Sequence, residues 1–190
     1  MFNKNYIIVG VVILTLGVSI FYFSSGGVSL TGGDLTRAKA QQILWEAKKD
    51  SSRTVSVNYW APGQFGASGT GFAYPYHEKV MAMEKAGLVK ITGRALGGDL
   101  FEFTDKAQPY VSELKDKDSS LPSKDIKLGE PVSLEVTGLT SPSEDSSQKT
   151  MKFEYTITYR LTPFGEVLGT PTTEKSFDVF VLYDDGWRLR

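Results

Sequence analysis

The sequence predicts an α+β protein: an N-terminal transmembrane helix, a first domain mixing helices with strands, then a small antiparallel β domain. Three observations predict it. Fourteen of the 18 residues from Tyr6 to Phe23 are apolar and none is charged. Apolar residues recur at helical spacing through AKAQQILWEAKK. From Met151 to Thr162 apolar and polar residues alternate without a break, which is the strand period. The resulting organisation is a short flank at 1–5, the spanning segment at 6–23, a stalk at 24–33, a first domain at 34–114, a linker at 115–131 and the β domain at 132–190.

Tyr6–Phe23 reads YIIVGVVILTLGVSIFYF, and no charge occurs between Lys4 and Asp34. Its Ile, Leu, Val and Phe residues favour insertion by about 4–7 kcal/mol, and it spans about 27 Å as a helix, enough to cross a bilayer core. Tyr6 at one end and Phe21, Tyr22 and Phe23 at the other suit the two interfaces. A cleaved signal peptide is the competing reading. Its apolar region is normally shorter, about 7–15 residues, although Ser24-Ser25-Gly26 offers a weak cleavage site. Lys4 precedes the segment and its following flank is uncharged, which places the body outside the cytoplasm, in a periplasm or equivalent space. The expected location is thus the inner membrane, single-pass, with residues 6–23 in the lipid bilayer.

The stalk leads into the first helix, with Asp34 as N-cap and Leu35, Ala38, Ile43, Leu44 and Ala47 mostly on one face. Thr54 to Trp60 alternates and is β-branched, so a short strand is expected. APGQFGASGTGFAYP follows and reads as a Gly/Pro-rich loop. A helix then ends at Gly87, a strand runs Leu88 to Thr92, Leu96-Gly97-Gly98-Asp99 turns, and a strand returns from Leu100 to Phe103. Thr104 caps a further helix.

The order helix, strand, turn, strand, helix resembles the back half of a winged-helix domain of the MarR type. The matching residues are Met83-Glu84-Lys85-Ala86-Gly87-Leu88-Val89 and Phe103-Thr104-Asp105-Lys106-Ala107, within residues 76–114. The resemblance implies a recognition helix followed by a β-hairpin wing. Charge argues against nucleic acid as its target. Residues 34–118 carry 12 basic and 11 acidic side chains, and the wing offers only Lys90 and Arg94, with Asp99 at its tip. Neutralising several phosphates needs a larger cation excess.

Lys115 to Pro131, charged and rich in Ser and Pro, reads as the interdomain linker, with a possible short strand at Ile126 to Leu128. Val132, Leu134 and Val136 alternate with polar residues as a half-buried strand. Phe177 to Tyr183 forms another strand, and Asp185-Gly186 turns it into Trp187-Arg188-Leu189-Arg190.

Catalytic chemistry is sparse. The chain of 190 residues has no Cys, one His, and 21 basic against 22 acidic residues, for a net charge of −1. That composition excludes a disulfide scaffold, a zinc–cysteine site and a strongly basic nucleic-acid binder. His77 with Met81 and Met83 makes a soft metal site imaginable, but a helix face packed on its neighbour explains them better. Ser68, in GASGT, lacks the last Gly of a nucleophile elbow. No cofactor, metal or catalytic residue is assigned. Trp60, Phe65, Phe72, Tyr74 and Tyr76, clustered around the Gly-rich loop, are the candidate partner-binding residues. The expected function is a non-enzymatic, membrane-anchored envelope protein that binds another envelope or secretion component. The alternatives are a membrane-tethered winged-helix regulator with a cytoplasmic body, and an envelope hydrolase using Ser68 and His77.

Overall fold

Side-chain periodicity decides the elements, and strands dominate them. The computed structural model describes residues 35–115, 121–140 and 149–190. The spanning segment 6–23 and the stalk 24–33 lie outside the described residues, as does the expected cap Asp34. Among the described residues no helix is long and apolar enough to cross a membrane.

The first helix, α1 (Arg37–Lys48), buries Ala40, Ile43 and Leu44, a stripe at i, i+3 and i+4. Thr36 stands in the N-cap position, its Oγ1 accepting from the Lys39 N–H at 3.3 Å. Strand β1 (Arg53–Trp60) follows, then a 3₁₀ turn at Gln64–Gly66 and a four-residue strand, β2 (Gly71–Tyr74). Helix α2 (His77–Lys85) ends as the sequence predicts. Gly87 takes φ 71°, its N–H reaches Glu84 O and the Leu88 N–H reaches Met83 O, the paired bonds of a Schellman cap.

Strands β3 (Val89–Ala95) and β4 (Gly98–Phe103) form the expected hairpin. The helix expected from Thr104 is only a 3₁₀ turn at Gln108–Tyr110. Instead of capping it, the Thr104 hydroxyl lies against Gly87 O and Leu88 O, at the end of α2. The chain then bridges β5 (Ser123–Thr140) at Val111↔Ile126 and Lys115↔Ser123, which a longer helix would prevent. Strand β6 (Thr150–Leu161), a short helix α3 (Pro163–Val167), β7 (Thr173–Tyr183) and β8 (Gly186–Leu189) complete the chain.

The strands make one antiparallel sheet of eight, in the order β3-β4-β2-β1-β5-β6-β7-β8. This corrects the predicted fold class. In place of an α+β winged-helix domain followed by a separate β domain, the described chain is mostly a single sheet with few helices. The reason is local. GFAY, hidden at the end of the Gly-rich loop, is a strand that pairs with β1 on one side and β4 on the other. The supposed wing strand β4 is therefore interior, with β3 on its far side. Ser123–Pro131, read as linker, is the first half of β5, and it pairs with β1 from Asn58↔Ser123 to Arg53↔Gly129.

Two compact units can be distinguished, and α1, β5, β6 and β7 each contribute residues to both. The larger comprises 45–135 and 156–176. Its core joins Val57, Phe72, Phe101, Ile126 and Leu128 of the sheet to Val80 and Met83 of α2 and Phe164 and Leu168 of the α3 region. The smaller, among the described residues, comprises 35–44, 136–140, 149–155 and 177–190. There Phe153 and Phe180 meet edge to face at 5.2 Å, Trp187 is buried, and the Val136 N–H donates to Gln41 Oε1 of α1.

Candidate functional site

The β3–β4 hairpin concentrates the chemistry of the larger unit. A two-residue turn, Leu96-Gly97, joins the strands, and each neighbouring glycine has a steric reason. A Cβ on Gly97 would lie 2.8 Å from the Trp60 ring, and one on Gly98, at φ 125°, would lie 2.0 Å from Tyr74 O. The hairpin can approach Trp60 of β1 and Tyr74 of β2 this closely only without side chains there.

That approach fixes Asp99, the second residue of β4. In register it faces Arg94 on β3 and Tyr74 on β2, so the three side chains share one face of the sheet. Phe101 follows two residues on and enters the core on the same face. The bulge between Ile91 and Gly93 lets Arg94 join Ile91 on that face. His77, the first residue of α2, comes over the same face.

Asp99 is 4% exposed, yet both of its oxygens are engaged. The His77 ring meets Oδ2 through Nδ1 at 2.5 Å, and Arg94 Nε donates to Oδ1 at 3.1 Å. Burial alone would raise the Asp99 pKa; the hydrogen bonds and charges of His77 and Arg94 outweigh it and hold the group below its ordinary value of 3.8. With the carboxylate ionised, Nδ1 carries a proton and Nε2 is left to the solvent side. The Arg94 side chain has no other partner among the described residues, so the two terminal nitrogens of its guanidinium are also open. His77 and Arg94 line a cleft of about 370 Å³ with Pro75, Ala95, Leu96 and Gly98.

The aromatic candidates divide. Phe72 is a core residue, edge-on to Tyr59 and tilted against Phe103. Tyr74 is half-buried against that core, and burial pushes its phenol pKa up, with Tyr76 adding to the shift. Trp60 is half-buried, and its Nε1 has no acceptor among the described residues. Phe65 and Tyr76 are 55% and 59% exposed. Phe65 packs edge-on against Trp60 and holds φ 47°, ψ 41°, the one non-glycine residue with positive φ among those described. Leu96, which the sequence reading used only as a turn residue, is 85% exposed, and a Cβ on Gly66 would lie 3.5 Å from it.

Ser68 and His77 do not come together. The Ser68 hydroxyl donates to Arg94 O at 3.3 Å and lies where a Cβ on Gly93 would touch it. Gly93 points to the face opposite Arg94 and Asp99, so Ser68 and His77 flank β3 from opposite sides. The imagined His–Met set is also divided: Met83 is buried in the core, Met81 is exposed, and His77 Nδ1 is held by Asp99. Among the described residues no group of three or more His, Cys, Asp or Glu is placed to hold a metal ion.

Arg94 and Asp99 are the site residues that sequence reasoning weighed only as wing charges. Their five-residue spacing across LGG, read as a two-residue hairpin, places them opposite each other and was the available signal.

Fold and site together define an antiparallel β protein whose hairpin end carries a buried, doubly bonded aspartate beneath exposed apolar side chains. Compared with known protein families, with characterised proteins and with solved structures, the chain matches none.

Proposed function

We propose that the chain is a non-enzymatic, membrane-anchored envelope protein, held by residues 6–23, whose body binds another envelope or secretion component. The contact surface is the hairpin end that carries Phe65, Tyr76 and Leu96. The observation that carries this reading is Phe65. A bulky residue in the left-handed region costs on the order of 1–3 kcal/mol, and here the cost goes to holding an aromatic ring half outside the protein. Solvent gains nothing from that arrangement, whereas a partner gains a rigid aromatic anchor. Ser68 and His77, the pair usual for a hydrolase, lie on opposite faces of the hairpin.

A photo-crosslinking residue placed at Phe65, at Leu96 and at the exposed α1 residue Lys39 tests the reading in cells. A discrete adduct from the first two positions and none from Lys39 is expected. Equal labelling from all three positions, or from none, would contradict the assigned surface.

A further inference from the structure

The hairpin cleft holds more recognition chemistry than an apolar contact needs. Asp99 is buried, and its two oxygens hold one cation-forming group on each side: the Arg94 guanidinium by its inner nitrogen and the His77 ring by Nδ1. Each is bound at one end only. Among the described residues nothing else bonds the outer edge of the guanidinium, with its parallel N–H donors, or His77 Nε2, and both residues line the same cleft. The buried carboxylate orients them and fixes the ring tautomer, as an orienting group does for a ligating histidine. When the imidazole carries a proton, the trio has a net charge of plus one and every free polar atom on it is a donor. That is a recognition pattern for one planar oxyanion.

The rest of the lining states what the anion is attached to. Leu96, Ala95 and Pro75 are apolar, with the bare peptide backbone of Gly97-Gly98 between them, and Leu96 lies beside the turn that exposes Phe65. A free inorganic anion has no use for that wall, but a carboxylate ending an apolar residue does. We propose that Arg94 and His77, fixed by Asp99, bind the free C-terminal carboxylate of a polypeptide whose last side chain is apolar and packs on Leu96. The inference rests on the binding reading above in one respect: the polypeptide is a ligand and not a substrate.

The test titrates the full chain, in zwitterionic detergent, with an N-acetylated tripeptide ending in leucine, supplied as free acid and as carboxamide. The free acid is expected to bind, with the carboxamide weaker by about tenfold or more. Arg94→Gln, at an exposed position, is expected to cost a similar factor with unchanged circular dichroism. His77→Ala is expected to weaken the free acid and to leave the carboxamide unchanged. Equal binding of acid and carboxamide, or an Arg94→Gln variant that binds as well as wild type, would overturn the proposal. Inorganic phosphate competing as well as the peptide overturns the apolar carboxylate as occupant, and a His77→Ala variant that binds the free acid as well as wild type overturns the role of His77. Mass spectrometry of the recovered peptide separates the two readings. Cleaved peptide sinks the non-enzymatic function, whereas intact but unbound peptide sinks only the carboxylate site.

Discussion

Asp99 shows at the residue scale how one side chain sets local chemistry. A carboxylate at 4% exposure is costly unless it is paired and hydrogen-bonded, and Arg94 and His77 supply both conditions. Because its folded pKa lies below the ordinary 3.8, the ionised group adds stability above that pH, and the contribution is lost as pH falls through the folded value. We expect Asp99→Asn to be less stable than wild type in urea at neutral pH. The gap between the two should narrow as pH falls below 3.8. A gap that stays constant across that range would show that the ion pairs contribute nothing. Asp99 was legible in the sequence as a turn residue. Its burial was not, because burial depends on β2 lying against β4, a pairing between residues remote in sequence. Phe72 misled for the same reason: an aromatic beside glycines reads as loop until the strand it sits on is known.

At the scale of elements, α3 illustrates what turn residues conceal. Thr162-Pro163-Phe164-Gly165 reads as a loop because of its Pro and Gly, yet it opens a helix with Pro in the first turn. The Thr162 Oγ1 accepts from the Gly165 N–H at 3.2 Å and donates to Lys127 O at 2.6 Å. Gly165 is required by a different contact, since a Cβ there would lie 1.9 Å from Leu128 O. Thr162→Ala removes both hydroxyl bonds at a buried position and is expected to cost about 1–2 kcal/mol by urea unfolding. A cost near zero would mean that the cap and the tie to β5 are redundant. Strand β5 shows the opposite error. Its charges suggested a linker, but Asp125 accepts from Ser56 and pairs with Lys115, while Lys124 lies over the rings of Phe72 and Phe103. Between these charges Ile126 and Leu128 face the core. Alternation was present, masked by long polar side chains whose stems cover apolar surface. By contrast β6 was legible throughout, because Phe153, Tyr155, Ile157 and Tyr159 are all buried and their partners in sequence stay polar.

For the whole molecule, local order was read well and long-range pairing was not. Helix α2, its glycine cap and the β3–β4 hairpin occupy the positions that a winged helix would give them, which is why the likeness formed. What separates the two architectures is the four-residue strand β2, too short and too rich in small residues to stand out beside Gly69 and Gly71. Once it is inserted, the hairpin joins a continuing antiparallel sheet, and a DNA-reading helix loses its frame along with the charge that it already lacked. The proposed function requires, at this scale, that the body lie outside the cytoplasm. The apolar run at 6–23 and the near-neutral remainder support that placement.

The most direct measurement is a pair of fusions at the C-terminus of the full chain, one to alkaline phosphatase and one to a fluorescent protein that matures only in the cytoplasm. The account predicts an active phosphatase and a dark fluorescent fusion. An inactive phosphatase with a bright fluorescent fusion would put the body in the cytoplasm and contradict the envelope function.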